Sequence, residues 1–223
     1  MNTTELKNRG IFGLIFVLIL YFGTSYSSML CSILFAVLGL ICLYEMWHLR
    51  EGKSKILALA YVLIPFLSIQ DLIWNYLSFS IYDTQVWMSE FILSLLVLTW
   101  TFDTFAFLIV VKYGKHKIIP SISPKKSWEG FVGGLIFTFI ASSIYFRCFL
   151  ENSMEETLIW SLILAITISF TASLGDFIES AYKRQAGVKD SGNLIPGHGG
   201  VLDRMDSLMI SMFILNILFR LLS

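Results

Sequence analysis

The sequence predicts an all-α fold: a polytopic integral membrane bundle of about seven transmembrane helices, with the N-terminus in the cytoplasm. Three observations predict it. Hydrophobic residues fill 56% of the 223 positions and charged residues 14%, where a soluble domain carries about 25% charged residues. Mean hydropathy is +0.74, and the apolar residues gather into separate runs. Basic residues cluster in alternate connections between those runs, the asymmetry that orients a membrane protein.

The runs cover 10–23, 29–47, 56–69, 91–111, 131–150, 158–174 and 207–222, against the roughly 17 to 25 residues that a spanning helix needs. The first and third are the shortest. The first follows Lys7 and Arg9, as a secretory signal would, but no small-residue cleavage site is evident and another apolar run follows at once. A retained helix is therefore expected. Cys31, Cys42 and Cys148 lie scattered in apolar runs without Cys-x-x-Cys spacing, so inert core residues are expected rather than a metal or redox site.

Net charge is zero, so overall electrostatics points to no partner, and no nucleic acid is expected. Its distribution carries more. Lys7 and Arg9, then Arg50, Lys53 and Lys55, then Lys112, Lys115, Lys117, Lys125 and Lys126, then Lys183, Arg184, Lys189 and Arg204 occupy alternate connections. The others hold Asp71, Asp83 and Glu90, or Glu151, Glu155 and Glu156, with Arg147 the exception. The positive-inside rule then puts the two richest polar connections, 112–130 and 176–206, in the cytoplasm. With no internal repeat and no connection long enough for a separate soluble domain, one transmembrane domain over 1–223 is expected. Residues 1–99 form scaffold spans in this reading and residues 100–223 the catalytic part.

In the first connection, Ser121-Ile-Ser123-Pro124-Lys125-Lys126-Ser127-Trp128-Glu129-Gly130 leads into an apolar run. Pro124 interrupts helix, Ser123 or Ser127 can cap the next one, and Glu129 falls in its first turn. Adjacent lysines at a helix start suit an anion, whether a substrate phosphate or a lipid head group. Gly130, Gly133 and Gly134 suit close helix packing.

The second connection contains Ser173-Leu174-Gly175-Asp176, a short amphipathic helix expected near 177–184, and a Gly- and Pro-rich turn region through Gly200. Asp203 and Asp206 lie three apart, on neighbouring positions of one helix face. With Asp176 they can hold a hard divalent cation, because Mg²⁺ takes oxygen ligands and few carboxylates, leaving room for substrate phosphates. Carboxylates beside long apolar segments are costly unless paired or metal-bound. Lys183, Arg184, Lys189 and Arg204 supply more positive charge than that cluster needs, and their complement is a phosphate-bearing anion. Glycines 187, 192, 197, 199 and 200 allow backbone N–H groups to approach such a ligand. His198 can orient a phosphate or deliver a proton, whereas His48 and His116 have no comparable company and are expected to be structural. Asp103, within an apolar run, lines a lipid cavity or makes a hydrogen bond between helices.

The stretch from Ser180 to Asp206 resembles the signature of the phosphatidate cytidylyltransferase family, also called CDP-diacylglycerol synthases. Ser180, Lys183-Arg184, Lys189-Asp190, Pro196, His198-Gly199-Gly200 and Asp203-Arg204-x-Asp206 fill its fixed places. Residues 123–130 are similar to a second family motif, with Ser127 where Thr is usual, and Gly175-Asp176 matches a third. Tyr182, Phe107 and Val110-Val111 depart from the pattern, the last removing an arginine that would contact phosphate. The resemblance covers roughly residue 100 to the C-terminus.

It implies transfer of CMP from CTP to phosphatidate, giving CDP-diacylglycerol and pyrophosphate; compactness and the absence of a targeting segment suggest a bacterial plasma membrane, and the positive-inside rule an active site facing the cytoplasm. The expected assignment has Asp176, Asp203 and Asp206 holding one or two Mg²⁺ ions. Lys183, Arg184, Lys189, Asp190, His198 and Arg204 are catalytic; Ser123, Lys125, Lys126, Ser180, Gly199, Gly200 and Asp103 bind substrate. CTP, phosphatidate and membrane lipid are the expected partners, with a homodimer left open. The alternatives are another CTP-dependent lipid enzyme, of polyprenol kinase or CDP-archaeol synthase type, and an ion-coupled transporter.

Overall fold

A computed structural model describes residues 3–75, 88–149, 153–195, 197 and 199–222. Among them the chain forms helices only: α1 Thr3–Ser25, α2 Ser28–Leu49, α3 Ile56–Asn75, α4 Met88–Tyr113, α5 Trp128–Phe149, α6 Met154–Ala186 and α7 Leu202–Leu222. Helices α2 to α6 are each long and apolar enough to cross a bilayer, and α1 carries a shorter apolar stretch over Gly10–Ser25. Helix α7 opens on Asp203, Arg204 and Asp206 before turning apolar. The predicted helical membrane bundle is thus the observed architecture. Asp83, Glu151, Pro196 and His198 lie outside the described residues.

Exposed and buried apolar side chains divide as expected for a bundle in lipid. Ile, Leu, Val and Phe on the outer faces of α1, α2, α5 and α6 are exposed, while Phe35, Met46, Ile69, Leu95, Phe102, Ile168, Met205, Met209 and Met212 fill the centre. Helix α4 packs on α5, α5 on α6, α6 on α7, α7 on α3, and α3 on α2. Close approach depends on glycine where predicted. A Cβ on Gly130, Gly133 or Gly134 would collide with Val110, Ile109 or Phe102 of α4. A Cβ on Gly175 would collide with the main-chain carbonyl of Asp206, which marks a close contact of α6 with α7.

Helix α6 is the largest departure from the sequence reading. A break after residue 174 and a separate short helix near 177–184 are expected; instead α6 runs unbroken for 33 residues. Its length of about 50 Å exceeds the roughly 30 Å of hydrocarbon. Ser153 and Glu156 form a reciprocal capping box at its start, and Gly187, at φ 75°, ends it in the left-handed conformation. A single glycine costs a helix only about 1 kcal/mol, and Gly175 is needed for packing. Asp176 therefore belongs to a helix, and the second connection shrinks to 187–201.

The connection between α4 and α5 folds back on itself. Lys117 and Ser127 pair across it, and buried Ser127 accepts the Gly130 N–H at 3.2 Å, so Ser127 rather than Ser123 caps α5. Glu129 accepts the N–H groups of Lys115 and His116 and lies 2.6 Å from His116 Nδ1. His116, expected to lack company, has a definite partner in Glu129. At the other end of the bundle, Asn216 of α7 donates to the Ser68 carbonyl and hydroxyl at 3.1 and 2.7 Å, and Arg220 pairs with Asp71. Cys31 and Cys42 are buried, whereas Cys148 is exposed and so is not a core residue.

Candidate active site

One end of the bundle gathers the charged residues. Asp176 and Glu179 lie three apart on α6 and so share a face; Asp206 enters from the second turn of α7, brought close by the Gly175 contact. One carboxylate oxygen from each of the three lies within 4.8 Å of the others, an arrangement that could hold a metal ion. Glu179 is wholly buried and Asp206 nearly so. A carboxylate buried this deeply is costly inside a protein unless a cation lies nearby. Lys183, one turn on, supplies one: its ammonium pairs with Glu179 and, at 2.6 Å, with Asp203. Lys126, from the α4–α5 connection, pairs with Asp176 and lies 5.2 Å from the Phe177 ring centroid.

Four carboxylates, Asp176, Glu179, Asp203 and Asp206, thus face two ammonium groups. The formal excess of two negative charges matches one divalent cation, and the donors are oxygens throughout, as Mg²⁺ requires. Asp103 of α4 is half-buried, within hydrogen-bond reach of Ser207 and within electrostatic range of Asp176, Lys126 and Arg204. It faces the cluster.

Asp203 is placed differently from its predicted partners. One of its oxygens meets Lys183; the other accepts the N–H groups of Ser191 and Gly200, both at 2.8 Å, and the Ser191 hydroxyl at 3.0 Å. Gly199, at φ 86°, could not carry a Cβ, which would fall 2.7 Å from that second oxygen. Three glycines of the 187–201 connection fit against protein carboxylates, Gly199 against Asp203 and Gly192 and Gly200 against Glu45, while Gly187 ends α6. Among the remaining predicted residues, Ser180 is buried beside Glu179, and Lys125, Lys189, Asp190 and Arg204 are exposed. Ser123 is half-buried, its carbonyl accepting the Lys126 N–H at 3.3 Å. Arg184 donates to the Val188 carbonyl at 2.9 Å across the end of α6.

Arg50 and Lys53, from the α2–α3 connection, bind the Gln185 side chain and carbonyl. The Arg50 guanidinium lies 5.2 Å from the Tyr182 ring centroid, which gives the unusual tyrosine a local purpose. Three carboxyl or hydroxyl groups in this region escape the sequence reading: Glu179, Glu45 and Ser191. Glu179 is three residues after Asp176 and four before Lys183, a spacing visible once the helix is taken as continuous. Glu45 is a lone acid in an apolar run, the same signal that singles out Asp103.

Fold and site together define a helical membrane protein with a buried acidic cluster flanked by lysines at one end of its bundle. The chain belongs to the Cytidylyltransferase family, whose model matches residues 54–222. It is 44% identical over 138 residues to a phosphatidate cytidylyltransferase of Staphylococcus saprophyticus, covering 62% of this chain and 52% of that one. It is 43% identical over 140 residues to one of Staphylococcus aureus, covering 61% and 52%. With that of Staphylococcus haemolyticus it shares 45% identity over 130 residues, 58% and 48% of the two chains. The chain spans about half the length of the curated relatives it matches.

Proposed function

We propose that this protein transfers CMP from CTP to phosphatidate, releasing pyrophosphate and leaving CDP-diacylglycerol in the membrane. The observation that carries this reading is the buried cluster of Asp176, Glu179 and Asp206 hemmed in by Lys126 and Lys183, in a chain of the Cytidylyltransferase family. A phosphate oxygen of phosphatidate forms the new bond to the α-phosphorus of CTP, and the bond to the bridging oxygen of pyrophosphate breaks. That oxygen is already anionic near neutral pH, so binding and charge stabilisation matter more than a strong base.

Asp176, Glu179 and Asp206 would hold Mg²⁺, with the all-oxygen donor set and the excess negative charge as the fit to a divalent ion. When bound, Mg²⁺ offsets the charge that develops on the departing pyrophosphate. Lys126 and Lys183 keep the cluster from repelling a polyanion, and exposed Lys125, Lys189 and Arg204 contact phosphates at the mouth. Asp203 fixes the 187–201 connection over the site, with His198 within that connection as an orienting or proton-delivering group. Basic residues in alternate connections support a cytoplasmic site, and the bacterial relatives support a plasma membrane. Purified protein given phosphatidate, Mg²⁺ and cytidine-labelled CTP should put label into chloroform-soluble lipid, and the Asp176→Asn variant should put in less than about one hundredth as much. Equal labelling by the two would remove the acidic cluster from the reaction.

A further inference from the structure

Helix α7 carries Asp206 in its second turn, yet its own sequence supplies no conventional cap. The residue before Leu202 is Val201, which has no side-chain acceptor for the unpaired N–H groups that begin a helix. The acceptor comes from α2. Glu45 Oε1 accepts the Val201 N–H at 3.0 Å, and Oε2 accepts the Leu202 N–H at 2.9 Å and the Ser191 hydroxyl at 2.9 Å. Glu45 is 3% exposed, and its carboxylate is held by these N–H and O–H donors. A buried carboxylate held this way gains from charge-assisted hydrogen bonds and from the positive end of the α7 dipole.

The surrounding backbone is shaped to admit it. A Cβ on Gly192 would fall 2.8 Å from Glu45 Oε1, and a Cβ on Gly200 would collide with both Glu45 Oε2 and Ser191 Oγ. Ser191 donates its backbone N–H to Asp203, so Glu45, Ser191, Asp203 and Lys183 form one continuous chain of polar contacts that ends on Glu179 of the acidic cluster. Glu45 lies outside the residues, 54–222, that match the family model.

We infer that Glu45 is a positioning residue: from α2 it caps α7 and fixes the 187–201 connection, and so sets where Asp206 stands relative to Asp176 and Glu179. The inference rests on the proposed cytidylyl transfer for its consequence in catalysis, though not for the capping itself.

The test uses the full chain, with Glu45→Gln, Glu45→Asp and Gly192→Ala beside the wild type. Glutamine keeps the volume but presents an amide N–H₂ to at least one of the three donors; alanine at 192 pushes on the same carboxylate. Hydrogen exchange should accelerate at least about tenfold at Val201 and Leu202 in Glu45→Gln and Gly192→Ala, with the amides of α4 and α5 unchanged. Cytidylyl transfer should fall in kcat by on the order of 100-fold, the usual effect of displacing a reacting group by about an ångström, with the KM for CTP moving much less. Glu45→Asp, which keeps both oxygens, should recover part of both readouts. Wild-type exchange at Val201 and Leu202 in the variants overturns the capping role. Faster exchange with wild-type kcat overturns the positioning role. A wild-type protein without cytidylyl transfer counts against the proposed function, while the exchange measurement still decides whether Glu45 holds α7.

Discussion

Lys126 and Asp176 form an ion pair that ties the α4–α5 connection to the inner face of α6. The pair brings the two polar connections of the sequence to one place and leaves Lys126 half-buried, while its neighbour Lys125 points to solvent. The two lysines consequently have different jobs.

Replacing Lys126 by Met should leave Asp176 without its cation and lower kcat by about 10- to 100-fold, with Lys126→Arg retaining more activity than Met. Lys125→Ala should instead raise the KM for CTP or phosphatidate with little change in kcat. Steady-state kinetics on purified variants separates the two; equal kcat losses at 125 and 126 would contradict the distinction.

Glu179→Gln and Asp206→Asn should each shift the Mg²⁺ midpoint of activation upward by at least about tenfold. Asp203 has no such freedom, since both its oxygens are taken by Lys183, Ser191 and Gly200. Asp203→Asn should lower kcat while leaving that midpoint near the wild-type value. A midpoint shift for Asp203→Asn as large as that for Asp206→Asn would restore Asp203 to the metal.

Much of this arrangement is legible in the sequence. The seven apolar runs correspond to the seven helices, and the glycine-mediated packing of α5 on α4 follows from small residues at close spacing. What the sequence conceals is continuity and reach. Gly175 reads as the end of a helix, so Asp176 is placed in a loop and Glu179 passes unnoticed, although the i, i+3 and i+4 relations among Asp176, Glu179 and Lys183 become plain once α6 continues. Glu45 escapes for another reason: its partners at 191, 201 and 202 are backbone and hydroxyl donors, which leave no charge pattern to find.

Gly175→Ala should destabilise the protein by about 1–3 kcal/mol, because the added methyl meets the Asp206 carbonyl rather than a flexible side chain. Gly10→Ala, where nothing lies within 4 Å, should leave stability unchanged or slightly raised. Thermal unfolding in detergent distinguishes them, and a Gly175→Ala protein as stable as wild type would argue against the tight α6–α7 contact.

Asn216→Leu removes the amide that binds Ser68 from α7 and should cost about 1–2 kcal/mol of stability. Its distance from the acidic cluster predicts an unchanged kcat for the folded fraction. A kcat loss at full stability would place the α3–α7 clasp in the reaction.

The most direct test of the central claim is a single incubation with CTP labelled twice, with tritium in the cytosine ring and radiophosphorus at the γ position, given to purified protein with phosphatidate and Mg²⁺. Cytidylyl transfer puts tritium in the chloroform-soluble lipid and radiophosphorus in free pyrophosphate, in equal amounts. Radiophosphorus in the lipid with tritium left in water would mark a kinase, and neither label in the lipid would contradict the account.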